Sequence, residues 1–401
     1  MQGIGFLELM ASEHDPTRWH ELSAGMICVR CAEAALGPSG VTAQELRFAR
    51  TLLPRVPNIP RQLRLASILE TIDGSSMDGP HRSELARKLL SLGIELQADG
   101  HLSAAVDVFR AIVIAMHDDA DVRLLAYRQK GFALRTMKQF EEASIAYGSM
   151  HELATRERNR TMQLEAMLGH AKIDIERGNL PAAEDVVKMV LERARRLNLS
   201  DVVARALMDR AAIAGIRRDP INAILDTYEA LELAAEPTRE RLLMNLATAY
   251  REVEHAAAAR QIAEHLLAQS PSTELRAYAA ILAYHLEIDA GDDLAMERAR
   301  RRVVALERTP LADAEFEEAY ARELSLKGRF QDAIAAAERM LECAQAHRMN
   351  ELVIRADVAI ADLNAGRVPA VYQFRPQLAQ TAANSKLAAV TKALLTRCAV
   401  L

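Results

Sequence analysis

The chain has 401 residues, with 50 Lys and Arg against 55 Asp and Glu; half of it is hydrophobic and 4% aromatic. This apolar content suffices for a core and excludes wholesale disorder. No stretch nears the roughly 18 uncharged apolar residues of a membrane span, and a net charge of -5 gives no general pull toward nucleic acid or acidic lipid. In chain order, Met1 to Pro16 carries a short apolar run (Ile4, Phe6, Leu7, Leu9, Met10) with no basic residue before it. That is no secretory signal, so a cytoplasmic location is expected. Helices are predicted over Thr17–Leu36, Thr42–Leu53 and Arg61–Thr71, with Thr42-Ala43-Gln44-Glu45 as a capping box. Asp73 to Pro80 reads as a linker. From there to about residue 346 apolar residues recur at three and four, as in Leu89, Leu92, Leu96, and two-residue alternation is missing. Prolines stand at helix starts, as Pro181 and Pro220 do. Glu351–Leu363 and Gln377–Val400 read as further helices around a Pro/Tyr/Phe stretch at Pro369 to Pro376. The chain is predicted to be all-α.

The central region repeats. A marker alanine recurs at Ala105, Ala143, Ala183, Ala223, Ala259, Ala295 and Ala333, with spacings of 38, 40, 40, 36, 36 and 38. Each is preceded by a small residue in an earlier helix: Gly93, Gly131, Ala171, Ala211, Ala247, Ala283, Ala321. Two antiparallel helices approach closely only where small residues meet, and a large residue four positions after the marker (Phe109, Tyr147, Val187) fills the gap. Gly100, Gly178 and Gly328 stand where a left-handed turn joins the two helices. One such pair cannot bury its apolar face alone, so pairs must stack.

This pattern resembles the tetratricopeptide repeat family, best in Leu324-Gly328-Phe330-Ala333 and in Asn245-Leu246-Ala247-Tyr250-Ala259 with Pro271 after it. It covers about residues 85 to 345 and exceeds the family's usual period by two to six residues. The resemblance implies a right-handed α-solenoid of about seven helix pairs. With it go an N-terminal helical bundle (residues 1–80), the array itself (81–346) and a C-terminal helical cap (347–401).

Signatures of catalysis are missing. There is no glycine-rich phosphate loop and no nucleophile elbow. His20-Glu21 and His151-Glu152 open like a zinc-protease helix, but Ala24 and Thr155 occupy the second histidine's place. Cys28 and Cys31 share a helix face about 12 Å from His20 along the axis, too far for one metal site. They read as small buried residues, as do the separate Cys343 and Cys398. His170, His255 and His265 have no partner at catalytic spacing. The basic run Arg298 to Arg302 is flanked by Glu297 and Glu307, lacks aromatics for base stacking, and reads as a solvated face. No metal and no cofactor is expected.

In tetratricopeptide arrays the first helices line a peptide-binding groove. Projected on that expectation, the first helices here present Arg128, Phe132, Arg135, Lys172, Arg205, Arg241 and Arg251, while the later repeats present Glu287, Glu315, Glu318 and Arg322 and turn acidic. Arginine forks suit carboxylates, so the expected partner is a protein or peptide segment carrying carboxylates and apolar anchors. A membrane partner is not expected, and nucleic acid is disfavoured because residues 1–80 hold 7 Arg and no Lys against 9 acidic residues. The expected function is a non-enzymatic scaffold or adaptor. Two alternatives are a peptide-sensing regulator, whose layout is similar to that of the Gram-positive peptide-pheromone receptors, and an accessory subunit of an enzyme complex.

Overall fold

The computed structural model of the chain describes residues 4–13, 15–37, 40–73, 78–117, 119–234, 238–347, 349–369 and 387–394. All regular structure among them is helical. The chain forms two compact units, Met1–Leu197 and Asn198–Leu401.

In the first unit α1 spans Ile4–Ser12, α2 Pro16–Leu36, α3 Ala43–Leu52 and α4 Ile59–Asp73. Three helix pairs follow: α5 (Gly79–Ala98) with α6 (Leu102–Ala115), α7 (Ala120–Thr136) with α8 (Phe140–Arg156), and α9 (Arg160–Glu176) with α10 (Leu180–Arg196). In the second unit α11 (Ser200–Ile216) pairs with α12 (Pro220–Leu233), α13 (Thr238–Glu252) with α14 (Ala256–Gln269), α15 (Thr273–Ala290) with α16 (Asp293–Val304), and α17 (Pro310–Leu326) with α18 (Phe330–Ala346). Then come α19 (Asn350–Asn364) and a helix over residues 387–394. The seven pairs among the described residues are the seven that the marker alanines mark out. The rest of the expected Gln377–Val400 helix, Cys398 and residues 370–376 lie outside the described residues.

The helix starts obey local chemistry. Thr42 Oγ1 accepts from the Glu45 amide at 3.2 Å and Glu45 Oε2 accepts from the Thr42 amide at 2.8 Å, the reciprocal cap expected for α3. Gly79 and Pro80, expected in a linker, instead open α5, with the Asp78 side chain accepting from the His81 amide. All seven turns inside pairs place one residue in the left-handed region: Gly100, Lys138, Gly178, Arg218, Glu254, Gly291 and Gly328. Six of the seven close the same way, as where the amide after Gly100, that of His101, reaches back to the Leu96 carbonyl at 2.8 Å and Gln139 reaches Leu134 at 2.9 Å; at the seventh the Gly291 amide itself donates to the Glu287 carbonyl at 3.0 Å. Three of the seven are not glycine, and they carry a backbone cost that the closing bonds offset.

Packing inside the first pairs follows the small-against-large rule. A Cβ at Gly93 would lie 2.4 Å from the Phe109 ring, and one at Gly131 would lie 2.7 Å from the Tyr147 ring. The same tyrosine meets Gly169 of the next pair, where a Cβ would come within 2.5 Å. One ring of α8 is therefore seated between glycines of α7 and α9.

Residues 1–80 pack onto the first pair. Helix α1, not anticipated from the sequence, lies on α6 and α2. Its Gly5 and Phe6 amides donate to the buried carboxylate of Asp107 on α6 at 2.7 and 3.2 Å, and a Cβ at Gly5 would sit 2.1 Å from the Ser103 carbonyl oxygen. A helix of nine residues has little stability of its own, so this docking is what holds it. Arg61 of α4, 3% exposed, pairs with Glu21 of α2 and with Glu95 and Asp99 at the end of α5. Burial would weaken its charge, but the three carboxylates more than offset that and raise its pKa.

Candidate binding surfaces

The seven residues projected onto first helices divide between the two units. In the first unit Arg128, Phe132 and Arg135 lie on α7 and Lys172 on α9, both first helices. The arginines are not idle. Arg128 Nη1 donates to Glu165 Oε2 of α9 at 3.2 Å, and Arg135 pairs with Glu176 of α9, which Lys138 also reaches at 2.7 Å. The Arg135 guanidinium lies over the Phe132 ring, 5.3 Å from its centroid. These cations tie α7 to the first helix of the next pair.

In the second unit Arg241 is exposed and Arg205 partly buried. Arg251 of α13 pairs with Asp289 of α15 at 2.9 Å, and Arg322 of α17 reaches the same carboxylate at 2.6 Å. Arg355 of α19 pairs with Glu318 of α17, its Nε at 3.0 Å. The last first helices therefore carry arginines as well as acids. Of the acids expected to face a groove, Glu287 instead meets Arg260 of α14 at 3.0 Å. The buried Glu323 accepts from the Tyr284 hydroxyl and from Lys327. The shared signal is a charged or hydroxyl partner about one repeat away, at separations of 37, 41, 38, 33, 37 and 39 residues.

His285 of α15 sits among these groups, a residue with no obvious signal in the sequence. Its Nδ1 is buried without a hydrogen-bond partner, and so is Arg251 Nη2. Burial, then the positive charges of Arg251 and Arg322, push its pKa down to about 3, against the pull of Asp289. Asp289 itself is held below its usual range: burial opposes this, but the Arg251 and Arg322 hydrogen bonds win. The sign of the pH effect follows. The unfolded chain takes up a proton on this imidazole near pH 6.5 and the folded chain only near 3. His285 thus contributes stability that is full above pH 6.5 and is lost as pH falls toward 3. We expect the melting temperature of His285→Gln to fall less steeply than that of the native chain between those values, measured by thermal scans across pH. Parallel curves would refute the assignment.

The first unit also holds a cleft of about 790 Å³ whose wall includes Ile27, Arg30, Cys31, Phe48, Arg82 and Ile114. Phe48 and Ile114 are more than half exposed. Burial pushes up the Cys28 thiol, with Cys31 adding to the effect, and burial and Glu45 push up that of Cys31. Both are therefore poor nucleophiles. Among the described residues no three His, Cys, Asp or Glu side chains gather as a metal site. His170 has Ser144 Oγ 3.4 Å from its Nδ1, and His255 packs edge-on against Tyr250. In the basic run, Arg301 pairs with Glu297 at 2.7 Å, Arg302 with Glu264 at 2.9 Å and nearby Arg308 with Asp313 at 2.7 Å. No described helix is long and apolar enough to cross a membrane.

The repeated helix pairs, their small-against-large contacts and their left-handed turns make this an all-α fold of repeated helix pairs. No family model and no curated protein matches the chain. Among solved structures, it is similar to a tetratricopeptide repeat protein from Parabacteroides merdae at 14% identity, over 68% of this chain and 98% of that one, with a TM-score of 0.45. It is also similar to a Rap protein complexed with Competence and Sporulation Factor at 12% identity, over 87% and 98%, with a TM-score of 0.47.

Proposed function

We propose that the chain is a non-catalytic cytoplasmic scaffold that holds a segment of another protein on its first helices. In this reading the segment's acidic groups meet the second unit. The observation that carries it is the cluster around His285. Three guanidinium groups (Arg251, Arg322, Arg355) face two carboxylates (Asp289, Glu318), which leaves one positive charge in surplus. Two buried nitrogens there, Arg251 Nη2 and His285 Nδ1, lack a partner. A buried unmet donor is costly, and a ligand carboxylate removes that cost. Ile354 and Val358 flank Arg355 on α19 with more than half of each exposed, and they offer apolar anchors one turn apart.

The arginines of the first unit fit this role less well, because Arg128 and Arg135 already serve Glu165 and Glu176. The test is a random peptide library selected on the intact chain. Recovered peptides should be enriched in Asp or Glu beside aliphatic residues. The double variant Arg251→Gln, Arg355→Gln should bind them more than tenfold more weakly with its helicity intact; Arg322 still neutralises Asp289 in that variant. Peptides with no acidic preference, or an unchanged affinity, would remove the reading.

A further inference from the structure

A groove of about 430 Å³ lies in the first unit between α4 and α5. Leu63 and Arg64 of α4 line one side, Arg87, Lys88 and Ser91 of α5 the other. Its cations differ in how far they are committed. Lys88 is used up: its Nζ donates to Thr71 Oγ1 at 2.6 Å and pairs at 3.0 Å with Glu84, the carboxylate of the groove. The Arg87 side chain is 65% exposed, and its contact with Asp119 of α7, at 3.5 Å, is longer than a good hydrogen bond. That carboxylate already accepts from the Val122 amide at 3.1 Å. Arg64 pairs through Nε with Glu95, which Arg61 shares, so its two terminal nitrogens have no partner among the described residues. The hydroxyls of Ser67 and Ser91, which also line the groove, make no hydrogen bond there either.

Two guanidinium groups with open N–H donors and two hydroxyls thus border one small volume. Pro60, in the first turn of α4, lines it too, so the positive end of that helix dipole adds to the pull on an anion. A carboxylate would fill one guanidinium edge and leave the other cation unmet. A phosphomonoester carries about two negative charges and three acceptor oxygens, enough for both. Beside these donors Leu63 and, one turn earlier, Ile59 are more than half exposed. Two aliphatic side chains are too little apolar surface to enter a bilayer, which favours a protein segment over a lipid as the source of the phosphate.

We propose that the groove between α4 and α5 is a phosphomonoester site. It takes a phosphoserine or phosphothreonine of a partner protein, with an aliphatic neighbour of that residue lying on Leu63. The site shares no residue with the Arg251 and Arg355 cluster, so either can fail while the other holds.

The experiment uses the full chain and fluorescein-labelled pools of short random peptides with phosphoserine, glutamate or serine fixed at the centre. By fluorescence anisotropy the phosphoserine pool should bind at least tenfold more tightly than the glutamate pool, and inorganic phosphate should displace it. Arg87→Gln should weaken that binding about tenfold, the loss of one charge-assisted pair. Arg87→Lys should restore only part of it, because an ammonium has no two-donor edge. Ser91→Asp, one turn after Arg87, should abolish binding by placing a carboxylate in the groove; circular dichroism should show unchanged helicity in each variant. The double variant Arg251→Gln, Arg355→Gln should bind the pool as the native chain does. Equal affinity for the three pools, or native affinity in both Arg87→Gln and Ser91→Asp, would overturn the proposal. So would loss of binding in the Arg251, Arg355 double variant, which would put the phosphate in the second unit. Tighter binding to vesicles containing phosphatidic acid than to the phosphoserine pool would overturn it in favour of a lipid site.

Discussion

Arg61→Ala should destabilise the first unit by about 3–5 kcal/mol, the cost of leaving buried charges without their partner. The side chain is 3% exposed and holds together three elements that are far apart in sequence: α4 carries it, Glu21 comes from α2, and Glu95 and Asp99 close α5. Glu21 and Glu95 have side-chain exposures of only 14% and 22%, so water replaces the guanidinium poorly there, although Glu95 keeps Arg64 as a partner. Lysine is not expected to rescue the site, because its three donors radiate from one nitrogen, whereas Arg61 meets the three carboxylates with three separate nitrogens. Urea titration followed by circular dichroism measures the effect. A loss below about 1 kcal/mol would mean that the cluster behaves as a solvent-screened surface pair.

Tyr147→Ala should cost about 3–5 kcal/mol, as for other large aromatics in a core. Its ring is held between Gly131 and Gly169, and the two glycine backbones have no side chain with which to refill the space. The reverse test is Gly131→Ala. A single methyl there would meet a ring atom at 2.7 Å, and overpacking of that kind costs about 1–3 kcal/mol. If both variants melt like the native chain, the ring does not set the spacing of α7, α8 and α9. Phe109 against Gly93 repeats the arrangement one pair earlier.

Much of the array was legible because its determinants are local. The contacts of Gly93 with Phe109 and of Gly131 with Tyr147, and the turn glycines at 100, 178 and 328, each act within one helix pair, although Tyr147 also reaches Gly169 of the next. The other left-handed turn residues escaped notice because Lys138, Arg218 and Glu254 carry no glycine signal. The candidate site was legible in part. Arg251 was named, but not Asp289 or His285, whose relevance arises only when α13, α15 and α17 lie side by side.

By itself the sequence determined the helical class, the helix-pair period and the cap of α3, since helix propensity, apolar periodicity and turn chemistry are written in adjacent residues. Tertiary structure alone decided which carboxylate each arginine meets, whether Glu287 faces a partner or α14, that Ile4–Ser12 is a helix, and that Thr391 meets the Tyr250 hydroxyl. The reason is geometric. A repeat period says that two side chains lie one helix pair apart, but the rotation of each helix about its axis decides whether they touch, and packing across the interface sets that rotation.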